Sequence, residues 1–164
     1  MSDTSILPGG VVSSNPNQPG VHSATPTDID PVTGDSVSID PGAPITPTTS
    51  PPDEIFLAKA NGSATANVLG LAITAGENNG PGQTARIKYF SGPGPLTLTT
   101  EQWDARTGGS GGLTPGDTYY LSSATSGGLT TTPPSHPDYE TIIGFAISST
   151  TMMVNITILG QVSG

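Results

Sequence analysis

The chain has no cysteine, only four basic residues, one tryptophan, and few phenylalanines and tyrosines (three and four) in 164 residues. Without cysteine there are no disulfides and no thiolate metal sites, and a reducing compartment such as a cytoplasm is the expected place of synthesis. Four Lys and Arg against thirteen Asp and Glu leave a net charge of −9. That sign repels a phosphate backbone, so no nucleic-acid partner is expected. No apolar run approaches the roughly 20 residues of a membrane-spanning helix, and no basic start followed by an apolar stretch opens the chain, so no membrane partner is expected. Windows rich in Ala, Leu, Glu and Lys are also missing, which disfavours long helices.

What the chain has in quantity is Gly (22) and Pro (17), with Ser and Thr. These are unevenly spread. Residues 1–52 hold ten prolines and five aspartates, with no basic and no aromatic residue. Prolines at this density exclude helix and disfavour paired central strands, so an extended, Pro-rich N-terminal arm is expected. By composition alone a disordered linker is favoured over a strap. An ordered strap is the alternative carried forward, with small apolar groups along it as anchors: Ile6, Leu7, Val11, Val12, Val21, Ile29, Val32, Val37, Ile39 and Ile45. Each suits a shallow pocket on a partner. Asp28, Asp30, Asp35 and Asp40 suggest a calcium loop, but Val32 and Ile39 stand where ligands are needed, so no metal is expected.

Residues 53–164 read as a β domain. EIFLAKA (54–60), NVLGLAIT (67–74), ARIKYFS (85–91), DTYYLSSA (117–124), TIIGFAIS (141–148) and MMVNITIL (152–159) have strand length and strand composition. Thr99 and Gln102 have capping-box spacing and predict one helical turn. The pair Leu69-Gly70-Leu71-Ala72-Ile73 and Ile143-Gly144-Phe145-Ala146-Ile147 suggests a duplicated strand unit. Its opening strands are 64 residues apart (Ala60 to Ala124) and its second strands 74 (Gly70 to Gly144). A strand unit used twice predicts an all-β fold, a small antiparallel barrel or sandwich, with Gly70 and Gly144 at bends or close backbone approaches. Tyr119, Tyr120 and Trp103 are expected in the core. Arg86 and Lys88 are expected on an exposed strand face, guarding an edge or pairing with a neighbouring subunit.

Gly108-Gly109-Ser110-Gly111-Gly112 fits the nucleophile-elbow spacing, but that motif needs a strand before it and a helix after it. A helical turn precedes this one and a Leu-Thr-Pro-Gly turn follows. His136 lies between two prolines. Neither phosphate-loop nor metal-ligand spacing occurs elsewhere, so no catalytic residue and no cofactor are assigned and an enzyme is not expected.

The run LTLTTEQWD (96–104), then GGSGGLTPGDTYYL (108–121), GLTTTP (128–133) and IGFAI (143–147), resembles a module of tailed-bacteriophage virion proteins, found in head decoration, head-fibre and some tail-fibre proteins. The resemblance covers about residues 54–164 and leaves the arm unmatched. It implies a structural virion protein, commonly trimeric, made in the host bacterial cytoplasm and placed on the capsid exterior against the major capsid protein. On this reading the arm clamps neighbouring capsid subunits. The alternative is a fibre knob that binds a receptor or glycan through Tyr139, Tyr120 or Trp103.

Overall fold

The computed structural model describes residues 21–26, 38–47, 54–77 and 87–164. Within them the protein is all-β, with two five-stranded sheets and one short helix. The first sheet holds β1 (Val21–Pro26), β3 (Pro44–Pro47), β4 (Glu54–Leu57), β5 (Gly70–Ala72) and β7 (Ile87–Phe90), in the order β1-β4-β3-β5-β7. Because β1 also pairs with β7, the pairings close into a small ring. The second sheet holds β8 (Gly94–Thr97), β9 (Thr118–Leu121), β10 (Leu129–Thr130), β11 (Tyr139–Ala146) and β12 (Thr151–Gln161), in the order β10-β9-β11-β12-β8, and stays open. The whole is therefore not one closed barrel. A two-residue pairing of β2 (Ser38–Ile39) with β6 (Gly76–Glu77) completes the strands.

The break in composition at residue 52 is not where the pairing stops. Strand β3, from the Pro-rich stretch, lies between β4 and β5 and pairs with both. Strand β1 pairs with β4 and β7. An isolated extended segment cannot offset its ordering entropy of about 1–2 kcal/mol per residue. Here the compensation comes from the chain's own sheet.

The duplication is real, but its unit differs from the one the strand runs suggest. Adding 74 to the pair Thr46↔Phe56 gives Tyr120↔Thr130, and adding it to Ile45↔Gly70 gives Tyr119↔Gly144. The same offset carries Val21 onto Pro95, which pairs with Met153 as Val21 pairs with Phe90. Hydrogen bonds repeat with it. The Gly42 N–H donates to the Ala72 carbonyl at 2.8 Å, and the Gly116 N–H to Ala146 at 2.8 Å. Ala72 donates to Ala43 at 2.9 Å, and Ala146 to Asp117 at 3.0 Å. Thus β1, β3, β4, β5 and β7 correspond to β8, β9, β10, β11 and β12, in the same sheet order. The counterpart of TYYL in β9 is PITP in β3, not EIFL in β4. The extra length lies in the first copy: Ala72 pairs with Tyr89, 17 residues on, whereas Ala146 pairs with Met152, six residues on.

The copies diverge at one corner. In the first, β1 is long enough to reach β4, and this parallel contact closes the ring. In the second, the chain leaves β8 and enters helix α1 (Thr100–Thr107). Thr99 caps it through a reciprocal capping box with Gln102, and Gly108 ends it at φ 73°. Two turns form where one was expected.

Ile39, Ala43, Ile45, Ile55, Phe56, Ala72 and Ile87 form the core of the first copy. A larger cluster joins both copies, packing Val21, Leu71 and Phe90 with Trp103, Leu121, Ile143 and Met152. Bonds from Ala60 to the Ser122 carbonyl (2.9 Å) and from the Thr141 hydroxyl to the Ala66 carbonyl (2.9 Å) cross the same junction.

Gly70 and Gly144 are equivalent close approaches. A Cβ at Gly70 would lie 2.6 Å from the Phe90 carbonyl oxygen, and one at Gly144 would be driven into the Met153 carbonyl. Gly116 has φ 89° but open space around it. We expect Gly70→Ala and Gly144→Ala each to cost about 1–3 kcal/mol through forced backbone shifts, and Gly116→Ala about 1–2 kcal/mol through left-handed strain alone. Urea melts check this. A Gly144→Ala protein as stable as the parent would contradict the close approach.

Candidate functional site: the free edge of the second sheet

Of the twelve residues expected to bind partners, Ile6, Leu7, Val11, Val12, Ile29, Val32, Val37 and Arg86 lie outside the described residues. Val21, Ile39 and Ile45 are buried in the protein's own core, the last two with no exposure. They are spent on folding and cannot anchor a strap. Lys88 is half-buried on β7, a strand paired on both sides, so it guards no edge. The face expected to be exposed carries Phe90, which is buried in the shared core.

The GGSGG loop has a structural explanation. The Asp104 carboxylate accepts the Gly111 N–H at 3.0 Å and the Gly112 N–H at 2.7 Å, holding the loop against the end of α1. Gly112 is pressed onto the Ser149 carbonyl, leaving no room for a side chain. Ser110 is exposed, and the two histidine rings bond elsewhere, His22 to the Ser91 hydroxyl and His136 to the Val162 carbonyl. Asp28, Asp30 and Asp35 lie outside the described residues. Among the described residues no three acidic or histidine side chains gather in a way that could hold a metal ion.

Charge is used for joining the copies. Arg106, on α1, reaches Asp40 of the first copy at 3.8 Å and the Gly127 carbonyl at 3.5 Å, while its Nε is buried without a partner. Burial lowers its pKa and Asp40 opposes that. A guanidinium stays protonated regardless. Burial likewise raises the Tyr89 pKa, and its ring stacks at 5.2 Å on His22.

What remains uncovered is on β11 and β12. Strand β12 pairs with β11 over nearly its whole length, but β8 covers its other side only as far as Val154. From Asn155 to Gln161 that side has no pairing strand among the described residues. The segment, NITILGQ, carries no charge. Among the described residues, the exposed large apolar side chains lie on these two strands and the turn between them: Phe145 (45%), Ile147 (50%), Ile158 (50%) and Leu159 (56%). Phe145 also lines a shallow groove of about 240 Å³ with Thr118, Ile142 and Thr157.

No family model, curated protein or solved structure matches this chain. Function therefore rests on this surface and on the sequence.

In the run MMVNITIL, alternation predicts Met152, Val154, Ile156 and Ile158 on one side; Met152 and Val154 are buried and Ile156 half-buried, but Ile158 is exposed.

Proposed function

We propose that this is a structural virion protein that decorates the outer surface of a phage head, as a homotrimer, in contact with the major capsid protein. The observation that carries the reading is the exposed apolar pair Phe145 and Ile147 at the β11–β12 turn, beside the groove that Phe145 lines. Exposed apolar surface of this kind marks protein contact sites. The resemblance to phage surface modules gives that contact its partner class. The clamp expected of the whole arm contracts, because Val21, Ile39 and Ile45 belong to the core. The knob reading loses Trp103, which has no exposure, and keeps only the half-buried Tyr120 and Tyr139.

The test is co-sedimentation of the Phe145→Asp, Ile147→Asp double variant with phage heads. Burying such side chains contributes about 1.5–3 kcal/mol each, so affinity should fall about 100-fold or more. The surface position of both leaves folding intact. Undiminished binding would remove the proposal's support.

A further inference from the structure

We infer that the free edge of β12, residues 155–161, is covered by the protein's own N-terminal segment, residues 1–20, added as a further strand beside β12. Long, uncharged, apolar edges are templates for strand addition, and proteins cover or charge them. This one carries neither charge nor proline; two bulges bend it without covering it, and Ile158 and Leu159 project from it half-exposed.

Three observations favour this occupant. The segment is attached close by: Val21 pairs with Phe90, and two residues later a Cβ at Gly92 would lie 2.9 Å from the Val154 carbonyl, where the open edge begins. Its length suffices, since a seven-residue edge measures about 23 Å at 3.3 Å per residue and 20 extended residues reach about 66 Å. Its composition fits. Proline cannot donate to a ladder, and the proline-free run from Gly9 to Asn15 has seven residues, as many as the edge, with Val11 and Val12 at its centre. Asp3 is the only charged side chain before Val21, so neither partner brings like charge to the contact.

Hydrogen exchange on the isolated protein tests this without phage heads, so its outcome is separate from the decoration reading. Two bulges shift the β11–β12 register, so the amides of 155–161 that point away from β11 do not strictly alternate. In the full chain these should exchange about tenfold or more slowly than in a variant lacking residues 2–20, while amides of β9 keep their rates. Cross-linking supplies the second arm, and the absence of native cysteine makes it clean. With Thr157→Cys fixed, cysteines placed in turn at positions 9 to 15 should give a disulfide within one chain at one or two neighbouring positions. Equal exchange in both proteins, or disulfides that join only separate chains, overturns the inference. The latter result would assign the edge to a second copy.

Discussion

A chain lacking residues 2–52 should fail to fold. The deletion removes β1, β2 and β3, and with β3 the strand that joins β4 to β5. It removes Ile39, Ala43 and Ile45 from the seven-residue core of the first copy, and Val21 from the shared cluster. Burying Val21, Ile39 and Ile45 contributes about 1.5–3 kcal/mol each, or about 5–9 kcal/mol together, against a typical net stability of about 5–15 kcal/mol. The exposed edges of β4, β5 and β7 would then be aggregation templates. Circular dichroism should show no cooperative thermal transition for this chain, whereas a chain lacking only residues 2–20 should melt cooperatively. A sharp transition near the parent's in the longer deletion would restore residue 52 as a structural boundary. Loss of capsid binding by the longer deletion would report misfolding, so only the shorter one can speak about anchoring.

The sequence showed the all-β class because short apolar runs bounded by Gly and Pro have few other solutions. Gly70 and Gly144 also showed through, since a glycine inside an apolar strand signals backbone approach. Strand β3 did not. PITP begins and ends in proline, which speaks against a strand paired on both sides. It works because the ladder needs acceptors from these residues as much as donors: the Pro44 carbonyl accepts from Ala58 at 2.9 Å and the Ile45 carbonyl from Leu69 at 2.8 Å. A usable signal was register. Asp40-Pro41-Gly42 stands 74 residues before Thr114-Pro115-Gly116, the offset that separates Gly70 from Gly144. Thr25, Asp30, Thr33, Gly34 and Ser36 stand the same distance before Thr99, Asp104, Thr107, Gly108 and Ser110. Counting prolines hid that alignment. The free edge of β12 was hidden for another reason. Whether a strand has a neighbour is decided by where β8 stops, and strand propensity carries no such information.

Trp103→Ala should produce the largest loss of stability of any single substitution considered, about 3–5 kcal/mol. The indole is completely buried on the inner side of α1, and its Nε1–H donates to the Thr150 carbonyl at 2.8 Å. Its ring also stands against Gly42, whose Cβ position lies 3.5 Å from the indole, so it packs the second copy onto the turn of the first. Trp103→Phe keeps part of the volume. The Thr150 carbonyl would still accept from Leu98 at 3.0 Å, so no buried acceptor is orphaned and the cost should stay near 1–2 kcal/mol. Urea unfolding followed by circular dichroism separates the two variants. The shape of the transition carries the further information. If the copies folded independently, losing the indole would split the melt into two steps, one unshifted. A shared core requires one transition displaced as a whole. A two-step melt for Trp103→Ala would mean that the duplicated units are separate folding bodies joined by Arg106 and a few backbone bonds.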